Sequence, residues 1–155
     1  MSNVFTAAGT LFAVSATLPS TFDEAGYSDV GMVYSLVGEI TGIPAIGAEY
    51  TLVTHNPVGD RTTVKRKGSV DFGSGITLPM ALDNSDAGQN IMRDFAYGAN
   101  VDDSVAVKIT RPDGSVRYFT CQVMMFRESA DDVNSISAAE TQIEIDREIV
   151  YVDAP

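Results

Sequence analysis

Tryptophan is absent from the chain, and cysteine and histidine occur once each. A single Cys121 excludes a disulfide within the chain and fits synthesis in a reducing cytoplasm. No cluster of Cys and His exists that could hold zinc. A hydrolytic triad would have to use His55, which stands in the turn sequence His55-Asn56-Pro57. No serine has the Gly-x-Ser-x-Gly surroundings of a nucleophile elbow, and Gly73-Ser74-Gly75 is a turn. No glycine-rich phosphate loop follows a strand. Asp83 to Gly88 faintly resembles a calcium loop, but Ala87 stands where an oxygen ligand belongs, and helix capping explains these residues better. Cys121 alternates with Phe119 and Val123 and reads as a small core residue. The adjacent Asp131 and Asp132 sit in a polar loop and are ordinary. The reading expects no catalytic residue, no cofactor and no metal, and hence no enzyme.

Long hydrophobic runs are missing too, which excludes a helical membrane span. The mildly apolar stretch 5–18 has no Lys or Arg before it, so a secretory signal is not expected. Positive charge is scarce. Lys and Arg number 10 against 21 Asp and Glu, for a net charge of −11. That balance disfavours nucleic-acid binding by phosphate neutralisation, and it disfavours anionic membranes. No Lys or Arg precedes Arg61, and then Arg61, Lys65, Arg66 and Lys67 fall almost together. After Arg127 the chain is acidic again, with Arg147 the one exception. A basic patch on an acidic body suits contact with another copy of the same chain. On charge alone, a solvated basic strand pairing locally with carboxylates is an equal alternative.

What is present is mostly period-two patterning around a single helical stretch. Ala87, Ile91 and Phe95 recur at four-residue steps, with Met92 widening the stripe. Asn84, Ser85 or Asp86 can cap the start and Gly98 suits the end, so a helix is expected over about 84–97. Strands are expected over 10–16, 32–40, 49–54, 61–70, 76–82, 104–110, 115–126 and 139–152. Arg111-Pro112-Asp113-Gly114 is the turn between two of them. In the last strand Glu144, Asp146 and Glu148 form an acidic stripe opposite Ile143 and Ile145. Neither face of 61–70 is apolar enough for a core, so this segment reads as part of a projecting loop or hairpin that packs on a neighbour. At 155 residues one domain is expected: an arm at 1–10, a projecting segment at 49–67 and a tail at 153–155. The fold class is mainly β: a two-sheet antiparallel sandwich or flattened barrel with one flanking α-helix.

Several stretches, taken in order, resemble a known family. These are Leu18-Pro19-Ser20-Thr21-Phe22-Asp23-Glu24-Ala25-Gly26-Tyr27, then Val37-Gly38-Glu39-Ile40-Thr41, then His55-Asn56-Pro57 through Arg61 to Lys67-Gly68-Ser69. Asp86-Ala87-Gly88-Gln89 and Arg111-Pro112-Asp113-Gly114-Ser115-Val116 continue the pattern. Over nearly its whole length the chain resembles the major tail tube proteins of long-tailed, non-contractile bacteriophages of the lambda type. The resemblance implies a β-sandwich with a flanking helix, six-membered rings, and rings stacked into a hollow tube. It implies a tape-measure protein in the lumen during assembly, tail tip and tail terminator proteins as partners, and later passage of DNA. The place would be the virion tail, assembled in the host cytoplasm, with no membrane binding by this chain.

On this reading His55, Asn56, Pro57, Arg61, Lys65, Arg66 and Lys67 form a self-assembly interface. Glu144, Asp146 and Glu148 line the lumen or that contact, where negative charge lets DNA slide without sticking. Two other readings stay open. One is the tube of a contractile tail or secretion-type machine. The other is a β-sandwich binding or adhesion module, against which the lack of tryptophan and the scattered aromatics argue.

Overall fold

The short alternating runs of the sequence become strands in the computed structural model, which describes residues 4–155. In chain order these are β1 (Leu11–Ser15), the short helix α1 (Glu24–Tyr27), β2 (Ser35–Leu36), β3 (Glu49–His55), β4 (Val64–Asp71) and β5 (Ile76–Ala81). The helix α2 (Ala87–Tyr97) follows, then β6 (Val105–Thr110), β7 (Val116–Ser129), β8 (Ala138–Ile145) and β9 (Val150–Val152). One antiparallel sheet runs β2-β1-β6-β7-β8-β5, with β9 pairing beside the start of β7. A second sheet holds only β3 and β4.

The large sheet curls, and its two edges are tied. Beyond β2 the chain crosses to β5, where Ile40 bridges Met80. Thr41 N–H donates to Pro79 O and Ala81 N–H to Glu39 O, each at 3.0 Å. Pro79 has no N–H, but here only its carbonyl is used, which makes it tolerable in an edge strand. This is the flattened barrel foreseen above, and the small second sheet is the projecting hairpin. Tying the edges removes the open ladder that would otherwise invite pairing with other chains.

Alternation decides what faces inward. Val105, Val107 and Ile109 of β6 are buried together with Phe119, Cys121 and Val123 of β7. Ile143 and Ile145 of β8 and Ile76, Leu78 and Met80 of β5 complete that wall. Burial pushes the Cys121 thiol far above its ordinary pKa, so it is inert core. Helix α2 lays Met92 and Phe95 onto this core, each burial contributing about 1.5–3 kcal/mol.

Its start is fixed by Asp86, Gly88 and Gln89. Asp86 caps the helix, accepting from Gln89 N–H at 3.0 Å, and also accepts from Gly38 N–H at 3.1 Å. A side chain at Gly88 would collide with Leu36 O, so only glycine lets the helix lie this close. The buried Gln89 amide donates to Gly38 O and Ala81 O, and its oxygen accepts from Asp83 N–H. The expected helix is therefore present. It begins three residues later than expected because Asp83 and Asp86 serve as turn and cap.

The opposite face of β6 and β7 carries a smaller cluster. Tyr27 stacks on Tyr118 with ring centroids 5.3 Å apart, and Met32, Tyr34, Val150 and Val152 close around them.

Two expected strands are corrected. The strand expected over 32–40 shrinks to β2, because the chain changes partner there, from β1 to β5. Glu39, with φ at 62°, makes the turn. The single strand expected over 139–152 is broken at 146–149. There the Asp146 carboxylate accepts from the Thr120 and Ser104 hydroxyls, and Arg147 lies over Phe22. The expected arm at 1–10 falls partly outside the described residues, and residues 4–9 carry no strand.

Candidate functional site: an exposed basic hairpin

The β3–β4 hairpin stands off the body. Its root is a pairing of Gly47 N–H with Phe72 O at 3.0 Å, and every residue of β3 is exposed. The two strands pair Tyr50 with Val70, Leu52 with Lys67, Val53 with Arg66, Thr54 with Lys65 and His55 with Val64. Paired residues share a face. One face therefore presents Tyr50, Leu52, Thr54, Lys65, Lys67 and Val70. A register shift between Tyr50 and Leu52 twists the ribbon, and Lys67 Nζ lies 4.5 Å above the Tyr50 ring.

The sequence-predicted residues are only partly brought together. Lys65 and Lys67 share a face, while Arg66 points to the other with Val53 and Val64. His55 ends β3. Asn56, Pro57 and Arg61 belong to the connecting turn, where Asp60 N–H donates to Pro57 O and Thr62 N–H to the Asp60 carboxylate. None of the four cations makes an ion pair among the described residues, where the ion pairs are Arg93–Glu128 and Arg127–Glu140. Local pairing with a carboxylate is therefore not seen among the described residues.

The acidic candidates do not form one stripe. Glu144 accepts from Gly75 N–H at 2.8 Å and braces the turn below the hairpin. Asp146 is held by Thr120 and Ser104, and Glu148 is exposed in the break before β9. Strand alternation, which put them on one face, ends at Ile145.

The apolar half of the hairpin face escaped the sequence reading. Tyr50, Leu52 and Val70 are 47 %, 62 % and 40 % exposed, which is unusual for side chains of this size gathered on one ribbon. The signal was there, since Tyr50 and Leu52 alternate as Lys65 and Lys67 do. It becomes visible only once the register joins the two strands.

Among the described residues no group of His, Cys, Asp and Glu is placed to hold a metal ion, and no helix is long and apolar enough to cross a membrane. The Tyr27 hydroxyl is buried without a hydrogen-bond partner. Its burial pushes the pKa up to about 12 against the opposing charge of Arg147.

No protein-family model matches the chain. No curated protein sequence matches it. Among solved structures it is similar to a chain in a cryo-EM structure of the anti-feeding prophage (AFP) baseplate, 6-fold symmetrised. The identity is 9 %, the TM-score 0.69, and the match covers 99 % of each chain. The two chains share a fold from end to end.

Proposed function

We propose that this protein is a structural subunit of a phage-type tail that assembles with copies of itself into six-membered rings and stacks them into a hollow tube. The observation that carries this reading is the β3–β4 hairpin. It is an exposed ribbon with large apolar side chains and cations that make no ion pair among the described residues, on a chain of net charge −11. A hairpin of this kind gains little from its own body and much from a neighbour that covers it. The full-length likeness in fold to a chain of a six-fold symmetrised baseplate supports the same reading.

In this role the chain is a building block and performs no catalysis. The tube holds a tape-measure protein while it grows, is closed by tip and terminator proteins, and later passes DNA. Its place is the virion tail. The resemblance carried by the sequence selects the long-tailed, non-contractile type. A second reading keeps the ring and changes the machine, making this the tube of a contractile tail or secretion-type machine. The likeness to a prophage baseplate chain favours that reading, and a sheath gene beside this one would select it.

Charge reversal tests the role of the hairpin. The double variant Lys65→Glu, Lys67→Glu is expected to keep the circular dichroism and melting temperature of the parent, because neither side chain is buried. It is expected to sediment as a monomer where the parent forms large assemblies. Assemblies of parental size from this variant would refute hairpin docking.

A further inference from the structure

The segment between β1 and β2 lies on the outer face of the sheet without being hydrogen-bonded to it. Among the described residues, every hydrogen bond made by residues 18–34 has both partners inside that stretch. Asp23 caps α1, accepting from Gly26 N–H and from the Thr21 hydroxyl at 2.8 Å each. The Tyr34 hydroxyl donates to Tyr27 O at 2.9 Å. The stretch is thus organised within itself, and side-chain packing attaches it to the body. Tyr27 stacks on Tyr118 of β7, and the Arg147 guanidinium lies 3.7 Å from the centre of the Phe22 ring. Beneath the segment lie Ala106, Tyr118, Val150 and Val152, a small cluster that shares no side chain with the main core. Tyr27 is fully buried there, and its hydroxyl has no hydrogen-bond partner. A buried hydroxyl without a partner opposes the burial of its own ring.

We propose that residues 18–34 are a lid that opens as one unit while the barrel stays folded. Closed, the lid covers the apolar outer face of β6, β7 and β9. Open, it uncovers that face, and the Tyr27 hydroxyl regains water. No backbone ladder breaks in this motion, because no hydrogen bond joins the lid to the sheet. What is lost is the Tyr27–Tyr118 stack, the Arg147–Phe22 contact and the burial of the small cluster. A unit with few buried contacts of its own opens at lower free energy than the domain that carries it. The main core lies on the other side of the sheet and keeps its packing. Phenylalanine at position 27 would stack on Tyr118 with no orphaned hydroxyl, so the tyrosine holds the lid covered but not locked. The lid is a property of the free chain and does not depend on the tube reading.

The test is native-state alkylation of two thiols in one chain. Ala106→Cys places a reporter under the lid, where Ala106 is fully buried, and native Cys121 is the reference, fully buried in the main core. With iodoacetamide under native conditions, the thiol at position 106 is expected to react roughly a hundredfold faster than Cys121, because lid opening exposes one and only unfolding of the barrel exposes the other. Adding Tyr27→Phe should slow the reaction at position 106 roughly tenfold, since the closed lid no longer carries an unpartnered hydroxyl. Adding Phe22→Ala should speed it by roughly threefold. Cys121 should keep its rate in both. A second measurement needs no engineered cysteine: chymotryptic cleavage after residue 27 in the parent sequence, which should slow by a similar factor in Tyr27→Phe. Equal reactivity of the two thiols, or cleavage and alkylation that ignore Tyr27→Phe, would overturn the lid.

Discussion

Gln89 is 1 % exposed, and its amide joins three stretches of backbone: Gly38, Ala81 and Asp83. Replacing it with leucine keeps the volume but strands a buried N–H and two carbonyls. Each such group costs about 1–3 kcal/mol, so a loss on the order of 3 kcal/mol in urea unfolding is expected. Gly88→Ala fails for another reason. Its new methyl collides with Leu36 O, and the helix must lift, costing about 1–3 kcal/mol. A neutral Gly88→Ala would show that α2 packs further out than described. Acidity gives a third residue-scale test. Hydrogen bonds hold three loop carboxyls below their usual pKa: Asp23 by Gly26 N–H, Asp83 by the Ser85 hydroxyl and Asp113 by the Ser115 hydroxyl. A depressed folded-state pKa adds stability that is present above the unfolded value, near pH 4. That stability is lost as pH falls below it. Asp113→Asn should therefore be destabilising at pH 6, and its difference from the parent should shrink as pH falls below the unfolded value, by urea midpoint. Much at this scale was legible locally. Asp86 was one of three capping candidates because caps are chosen by near neighbours. Gln89 was not, since its partner Gly38 lies 51 residues away and no local pattern marks it.

Among the elements, α2 and the regular strands β5, β6 and β7 follow the sequence periods closely. Each buries one face against a continuous core. The misread elements are those whose partner changes midway. Residues 32–40 alternate like a strand, yet the chain leaves β1 for β5 and keeps only Ser35–Leu36 in the ladder. Residues 139–152 alternate too, until Asp146 turns toward Thr120 and Ser104. Periodicity reports which residues wish to share a face, and it cannot report a change of neighbour. The hairpin shows the reverse case. Its poor amphipathicity correctly marked it as foreign to the core, while the division of its cations between two faces needed the register. Excision tests this element. Joining Ala48 to Phe72 through a short glycine linker removes no residue of the core cluster. The shortened chain should keep its secondary structure and melt within about 2–4 °C of the parent, a change worth ~1 kcal/mol at this size. It should not assemble. A shortened chain that is unfolded would mean the hairpin stabilises the body directly.

At the scale of the molecule, the body closes its own sheet edges through the Ile40–Met80 bridge, whereas the hairpin face of Tyr50, Leu52, Lys65, Lys67 and Val70 lies open. The division is between a body with its own buried core and a projection whose residues are largely exposed. The mainly β class and the flanking helix could be read from pattern. Where the curled sheet closes could not, because that depends on a single bridge between residues forty positions apart in the chain. Electron microscopy of the purified, concentrated protein bears on this division most directly. Hollow tubes of stacked six-membered rings, with the β3–β4 hairpin buried between copies, are the expected result. A chain that stays monomeric at millimolar concentration, its hairpin still bare to solvent, would contradict it.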